Sequence, residues 1–437
     1  MTNKEEIIIA VCGPVDAGKS SLIGVLTRGE LDNGRGLARS KVLHHNHELD
    51  TGRTSSITLN PIKYKSINGV VSLNSTNGRK KMEAKFIRNM NFTDNNHIDK
   101  EKIISFMDLA GHEKYLKTTI FGVTGMFPDR GIVVIGANTG ITKLTREHLG
   151  ILLYLNIPFM ITITKIDLAP PEIYQKLKNR IKKLLTKNSF NKIVYFINDD
   201  NDCNKYLDNM IDNDDIIPTI SISNKSGENI ENIHQIIYNI KPRDKFVKEK
   251  NKSVVYLDSN FNVPGIGLVV SGTIRGKNIN VKDKMYIGPV NGEFYPVIIR
   301  SIHNAIREDV NTIGNGVQGC FAIKFPNIKQ SLLRNQIKKG FVLIDNIENW
   351  KDNITDTFTA KIKVLHHSSM IKNGYSPVIH CGPIRQSASI KLIDGEYLKS
   401  QEKGIVKFKF RNHKEFVEKN MIFFFRDGLT KGVGEII

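Results

Sequence analysis

Cysteine is scarce in this chain and unordered. Cys12, Cys203, Cys320 and Cys381 are its only four in 437 residues, with no C-x-x-C pair and no dense spacing. That excludes a disulfide-stapled secreted scaffold and suits a reducing compartment, with Cys12 a small core residue. No apolar run approaches the ~20 residues of a membrane helix, and Met1–Glu6 runs straight into a strand-like pattern, leaving no room for a signal peptide. The expectation is a cytoplasmic chain without membrane contact. Neither an aromatic RNA-binding signature nor a zinc module is present, so any grip on nucleic acid has to come from charge.

What is present begins at residues 13–20, Gly13-Pro14-Val15-Asp16-Ala17-Gly18-Lys19-Ser20. This G-x-x-x-x-G-K-S loop lies between the apolar run Ile7–Cys12 and a helical pattern from Ser21, the context in which such a loop cradles phosphates. Its N–H groups face inward at a helix N-terminus, Lys19 supplies a point charge, and Ser20 offers a hydroxyl to Mg²⁺. The segment Asp16, Ala17, Gly18, Lys19, Ser20 and Ser21 is therefore expected to hold the triphosphate. Asp108-Leu109-Ala110-Gly111-His112 follows a second strand-like run. It sets Asp108 where it can hold a water of Mg²⁺, and Gly111 where its N–H meets the γ-phosphate. Thr164-Lys165-Ile166-Asp167 ends a third run. A carboxylate at Asp167 can accept from guanine's ring N–H and amine, a donor pair adenine lacks, while the stem of Lys165 covers the base. Ser223-Asn224-Lys225-Ser226-Gly227 supplies a base-contacting turn between a strand and a helix. Four motifs in this order point to GTP.

Gly13-x-Val15-Asp16-x-Gly18-Lys19-Ser20 with Asp108-x-Ala110-Gly111-His112 resembles the translational GTPases of the elongation factor Tu and elongation factor 1-alpha superfamily. Longer strings are similar to the GTP-binding protein 1 and 2 family: Gly29–Gly36, Gly52-Arg53-Thr54-Ser55-Ser56, Ala110–Thr119, Val263–Thr273, His380–Gln386 and Arg426–Gly434. The resemblance implies a GTPase using GTP and Mg²⁺, with ribosome and tRNA as partners, other RNA possible, and a monomer. It assigns His112 to positioning the attacking water. Thr54 becomes a second direct Mg²⁺ ligand beside Ser20, with Asp108 acting through water; Ser55, Ser56 and Thr58 are rival hydroxyls. Asp16 matches the loop aspartate that helps hold a monovalent cation. Two departures stand out. Thr164 replaces the usual Asn, which is expected to weaken the tie between base pocket and phosphate loop, and Arg53 replaces an apolar gate residue.

The remaining pattern divides the chain. Strand and helix patterns alternate up to about Ile240, as a P-loop α/β domain with a mainly parallel sheet requires. After the charged stretch from Lys241, short apolar runs and strict alternation, as in Val406–Phe410, read as two antiparallel β-barrels. A break falls near Asn346–Asp352. The expected domains are 1–241 for GTP, 252–347 and 354–437 for the barrels. Residues 1–240 carry 31 Lys and Arg against 26 Asp and Glu; residues 241–437 carry 32 against 18. Most of the net +19 thus sits on the barrels, which suits a phosphate backbone. The leading functional reading is a translational GTPase, the alternative a GTP-controlled RNA-binding adaptor in mRNA turnover or quality control. His44–Glu48 reads as a solvated or ribosome-facing loop rather than a metal site, and His366-His367, inside a strand-like run, is a weaker metal candidate still. Residues 68–102 read as polar loops of an enlarged hairpin, and Asp199–Asp202 as a flexible surface insertion.

Overall fold

The computed structural model describes residues 3–43, 48, 54, 56–67, 70–75, 92–93, 100–186, 190–243, 251–290, 292–327, 332, 334–337, 340–428 and 430–437. The chain forms two compact units. One comprises Met1–Thr119 with Pro128–Arg243, the other Ile120–Phe127 with Asp244–Ile437.

Among the described residues, nine strands build the sheet of the first unit. They are β1 (Asn3–Cys12), β2 (Thr58–Ile67), β3 (Val70–Ser75), β4 (Phe92–Thr93), β5 (Lys100–Asp108), β6 (Arg130–Gly136), β7 (Phe159–Thr164), β8 (Ile193–Ile197) and β9 (Ile216–Ser221). Their order is β4-β3-β2-β5-β1-β6-β7-β9-β8. From β5 to β8 every pairing is parallel, whereas β2, β3 and β4 add an antiparallel edge. Continuous apolar runs such as Ile7–Cys12 and Ile132–Ile135 are buried, as strands covered on both faces must be. Within the expected hairpin of residues 68–102 the structure shows β3 paired with β2 and β4, while residues 68–69, 76–91 and 94–99 lie outside the described residues.

Among the described residues the helices up to Asn239 are α1 (Lys19–Arg28), α2 (Leu37–Ser40), α3 (Leu116–Gly125), whose residues from Ile120 belong to the second unit, α4 (Lys143–Tyr154), α5 (Pro171–Leu185), α6 (Asp200–Asn209) and α7 (Ile230–Asn239). Each follows local chemistry. Thr142 and Thr145 form a reciprocal capping box on α4. Proline stands in the first turn of α5, which buries Leu177, Ile181 and Leu185 at helical spacing. The acidic run Asp199–Asp202 is the start of α6 rather than a flexible insertion. Asp199 Oδ1 accepts from the Asp202 N–H at 2.9 Å, and Asp202 Oδ2 accepts from the Asn198 N–H at 3.0 Å. Carboxylates belong at a helix N-terminus because its unpaired N–H groups and partial positive charge favour them.

The second unit is antiparallel throughout. β10 (Ser253–Val263), β11 (Gly267–Gly276), β12 (Lys284–Val290), β13 (Glu293–His303), β14 (Gln318–Lys324) and β15 (Val342–Ile344) follow the order β12-β15-β10-β11-β14-β13, and pairing of β12 with β13 joins the ends. β16 (Thr357–His366), β17 (Val378–Cys381), β18 (Ile384–Leu392), β19 (Lys403–Phe410), β20 (Ile422–Asp427) and β21 (Thr430–Ile436) form a closed barrel in the order β16-β19-β18-β17-β20-β21. Its core is aromatic, with Phe358 stacked on Phe408 at 5.0 Å and Phe423 edge-on to both. Gly432 and Gly434 leave the room these rings fill, since a Cβ there would overlap Phe425 and Phe423. The break near Asn346 is a turn of helix, α8 (Ile347–Trp350), pinned by buried Trp350, whose Nε1–H donates to Asp345 Oδ1 at 3.0 Å.

Candidate nucleotide site

The strand order reverses about β1, between β5 and β6. A crevice opens there beyond the strands' carboxyl ends. The loop after β1 fills it. Gly13, at φ 150°, runs so close to the Val134 carbonyl that a side chain would collide, and Gly18, at φ 90°, turns the chain into α1. Asp16 holds the left-handed region at φ 59° without glycine's freedom, a strain typical of ligand-holding loops. The cleft of ≈ 240 Å³ is lined by Asp16, Gly18, Lys19, Ser20, Ser21, Thr54, Gly111, His112 and Lys165. Asp108 and Thr164 lie buried behind that surface, and Ala17 is fully buried.

Lys19 is buried, its Nζ donating to the Pro14 carbonyl at 2.9 Å. Burial lowers the pKa of its ammonium and raises that of the Asp108 carboxyl, each resisted by the other's charge. A polyphosphate and a divalent cation would relieve both. Ser20 Oγ donates to Asp108 Oδ2 at 2.7 Å and lies 3.0 Å from Thr54 Oγ1, which in turn stands 3.1 Å from Asp108 Oδ2. Asp108 Oδ1 is buried without a hydrogen-bond partner. Two hydroxyls and a carboxylate with one orphaned oxygen form a hard, oxygen-only donor set that fits Mg²⁺. Among the rivals, Ser56 is committed elsewhere, since its N–H and Oγ both donate to Glu48 Oε1 at 3.1 Å. Thr58 Oγ1 accepts from Asn60 Nδ2 at 3.4 Å. Gly52, Arg53, Ser55 and His44–His47 lie outside the described residues.

His112 follows Gly111, at which a Cβ would strike Lys19 Nζ and the loop backbone. The imidazole is exposed; its Nδ1 accepts from the Lys114 N–H at 3.1 Å, which caps the next turn and leaves Nε2 as the ring's other polar atom.

At the base end, Ser223 Oγ donates to Asp167 Oδ1 at 2.8 Å and accepts from the Lys225 and Ser226 N–H groups at 3.3 and 3.2 Å. Asp167 is thereby aimed by a buried hydroxyl while remaining exposed itself. Lys165 stands at φ 60°. The tie expected to weaken with Thr164 is present: Thr164 Oγ1 donates to the Ala17 carbonyl at 2.5 Å. A threonine hydroxyl at the end of β7 is close enough because the loop backbone itself approaches the strand. Asn224 adds its Nδ2 beside Gly18, while its Oδ1 stays buried and unpartnered.

Sequence reasoning missed three contributors. His148, buried on α4, accepts the Gly13 N–H on Nδ1 at 3.0 Å. Burial and then the Lys19 charge press its pKa down to about 3, so it remains a neutral acceptor. Its one signal was a histidine on a helix's apolar face, which most often means core. Arg35 and Arg39 line the cleft from the segment after α1. Asp32 Oδ1 organises that segment by accepting the Ala38 N–H at 2.9 Å, and the Asp32 N–H donates to the Asn224 carbonyl at 2.8 Å. The turn glycines Gly34 and Gly36, both at positive φ, were its legible sign.

The family described as Elongation factor Tu GTP binding domain matches residues 4–243. GTP-binding protein 1 of Xenopus laevis is 37% identical over 436 residues, taking in 99% of this chain and 63% of that protein. GTP-binding protein 2 of Homo sapiens is 32% identical over 438 residues, taking in 99% of this chain and 69% of that protein. The chain thus spans only part of the length of the curated relatives it matches. Among solved structures, a bacterial selenocysteine-specific elongation factor, EF-Sec, superposes with a TM-score of 0.67 at 18% identity, covering 99% of this chain and 58% of that one. Elongation factor SelB of Methanococcus maripaludis, in complex with the GTP analogue GPPNHP, gives 0.64 at 18% identity, covering 100% and 80%. These two share the fold. Motif order, cleft geometry and full-length similarity agree: the chain belongs to the elongation factor Tu GTP-binding family, with GTP-binding proteins 1 and 2 among its relatives.

Proposed function

We propose that this chain binds GTP with Mg²⁺, hydrolyses it to GDP and phosphate, and uses the cycle as an elongation-factor-like switch on tRNA and the ribosome in the cytoplasm. The observation that carries this reading is the convergence of Ser20, Thr54 and Asp108 beside buried Lys19. The proposed working modules are residues 1–241 for nucleotide and 252–347 and 354–437 for RNA, in a monomer.

Phosphoryl transfer asks a protein for positioning and charge neutralisation rather than covalent chemistry. Lys19 and the N–H groups of Asp16 to Ser21 bind the β- and γ-phosphates, and the Gly111 N–H meets the γ-phosphate. Ser20 and Thr54 would hold Mg²⁺ directly and Asp108 through water; the ion supplies neutralisation of charge on the phosphate oxygens. Asp167 orients guanine through its paired donors, Lys165 covers the ring, and Thr164, Ser223, Asn224 and Lys225 fix that corner. His112 Nε2 aims water at the γ-phosphate.

Thr54 belongs to the segment that GTP would order, so loss of the γ-phosphate releases it, and a partner that reads residues 30–58 senses hydrolysis. His112→Ala is the test. GTP affinity and melting temperature are expected to stay within about twofold and a few degrees of the parent, while ribosome-stimulated single-turnover hydrolysis drops at least about a hundredfold. An unchanged rate with ribosome binding preserved removes His112 from water positioning. RNA binding indifferent to nucleotide, without ribosomal stimulation of the parent, indicates an adaptor instead.

A further inference from the structure

The wall of the nucleotide cleft that follows α1 carries two arginines, Arg35 and Arg39, to which the phosphate loop and the metal donors leave no task. Arg35 is exposed and Arg39 half-buried. Among the described residues neither guanidinium makes an ion pair or a side-chain hydrogen bond. A half-buried guanidinium gives up hydration and here gains no acceptor in return, so its acceptors are expected to arrive with a ligand.

The wall is held in place before any ligand arrives. Asp32 starts it, its N–H donating to the Asn224 carbonyl at 2.8 Å and its Oδ1 accepting from the Ala38 N–H at 2.9 Å. Gly24 on α1 lets α2 come so close that a Cβ would strike the Ala38 carbonyl, and Lys41 just past α2 pairs with Glu30. Gly36, at φ 91°, leaves room beside the Arg39 guanidinium. A docked backbone lowers the ordering cost of contacts made by the side chains it carries. Charge points the same way. Without the arginines, the lining and Asp108 set Lys19 and Lys165 against Asp16, Asp32 and Asp108. That net negative cleft would meet a nucleotide–Mg²⁺ complex that is itself about −2 at neutral pH. Two guanidinium groups reverse the sign of the cleft, and each can hold phosphate oxygens in a fork. The wall also sets which phosphates are in reach. It leaves the base corner, where a Cβ on Gly34 would touch the Lys225 stem, whereas the γ-phosphate falls to Gly111 and Thr54 in the proposed function.

We infer that Arg35 and Arg39 grip the α- and β-phosphates of the guanine nucleotide, so that their hold is common to GTP and GDP while Thr54 answers to the γ-phosphate alone. This rests on the nucleotide site of the proposed function and deepens it. Hydrolysis removes the contacts at the γ-phosphate and leaves the arginine contacts intact, so GDP dissociation is governed by this wall.

The test measures the affinity of the full chain for guanosine, GMP, GDP and GTP with Mg²⁺, by competition against a fluorescent GDP. The parent is compared with a variant carrying Arg35→Gln and Arg39→Gln together. GDP and GTP affinity are expected to fall alike, each at least about tenfold through loss of charge-assisted contacts, while guanosine stays within about twofold. GMP should fall less than GDP. GDP dissociation, read in a chase experiment, should quicken by a similar factor. Arg35→Lys with Arg39→Lys keeps the charge but not the fork and should regain part of the loss. A nucleotide-free melting temperature that matches the parent excludes misfolding. Variant affinity for GDP within about twofold of the parent overturns the inference and leaves the proposed function standing. A loss confined to GTP moves the arginines to the γ-phosphate, and an equal loss for guanosine assigns them to holding the base corner; either overturns it. A parent that holds GDP through these arginines but gains no hydrolysis from ribosomes bears out the inference and overturns the proposed function.

Discussion

Lysine plays opposite parts in the two units. In the first, Lys19 and Lys102 are buried, and each is surrounded by oxygen. Lys19 meets the Pro14 carbonyl, and Lys102 Nζ caps the end of α7 through the Tyr238 and Ile240 carbonyls with Glu5 at 3.5 Å. In the last barrel Lys361, Lys363, Lys391, Lys403, Lys407 and Lys409 stand outside, four of them directly across from one another and Lys361 across from Glu435, and among the described residues none makes an ion pair. A buried ammonium must be compensated or it would not stay charged, so its surroundings state its task. An exposed one costs almost nothing wherever it falls, so one such residue says little and only a pattern of them carries meaning.

The sharpest break between the regions comes from removing what each depends on. Phe423→Ala in the barrel core should cost ~3–5 kcal/mol of stability, because the ring packs on Phe358 and Phe408 in space that Gly434 leaves open. Denaturant unfolding of the full chain measures it; a cost below ~1 kcal/mol would mean that the cluster repacks. The exposed lysines of the same barrel should show no such loss. Lys19→Ala should weaken GTP binding by ~3 kcal/mol, roughly a hundredfold or more, since it deletes a buried charge facing the phosphates. Calorimetric titration with GTP decides that, and retention of parental affinity would contradict the role given to Lys19.

Asp167→Asn should weaken GTP binding by ~2–3 kcal/mol through loss of a charge-assisted pair of hydrogen bonds, and turn preference toward xanthosine triphosphate, whose ring carbonyl suits an amide donor. Competition between the two nucleotides reads it directly. A smaller effect follows from His148. Its folded pKa of about 3 lies below the ~6.5 of an unfolded histidine. Between those values the unfolded chain binds the extra proton, so this contribution to stability is complete above pH ~6.5 and declines as pH falls toward 3. His148→Gln, which keeps an acceptor for the Gly13 N–H, should lose ~1 kcal/mol near neutrality and show a pH–stability slope shallower by about one proton in that window. An unchanged slope would mean that His148 does not titrate on unfolding. Last, Lys143→Ala breaks a 3.3 Å pair with Glu113 whose two side chains are 75% and 70% exposed. It should shift stability by less than ~0.5 kcal/mol; a larger shift would show that exposed charge in the first unit is not as idle as the comparison holds.

The GTP motifs were legible because each is a local device. A loop that wraps phosphate needs Gly13, Gly18 and Lys19 within eight residues, and a strand followed by a turn carries Asp108 or Asp167 to a sheet's edge. Helix, strand and barrel character were legible from period alone, Val406–Phe410 being a clear case. A misreading arose where local composition has two uses. Asp199–Asp202 is acidic enough for a loop, yet Asn198 and the backbone turn it into a helix start. Thr164, which departs from the family residue, keeps a hydrogen bond to the Ala17 carbonyl.

The sequence by itself determined the order of the GTP motifs and the change from α/β to antiparallel architecture, since these depend on residues near one another along the chain. Tertiary structure brought Thr54 to Ser20 and Asp108, a position legible in the sequence only by resemblance among rival hydroxyls, and set Ser56 on Glu48 instead. It also decided that His148 holds Gly13 across 135 positions of chain, and that lysines spread over residues 361–409 share one face. Strand register and helix docking set those neighbours, and no spacing along the sequence encodes them.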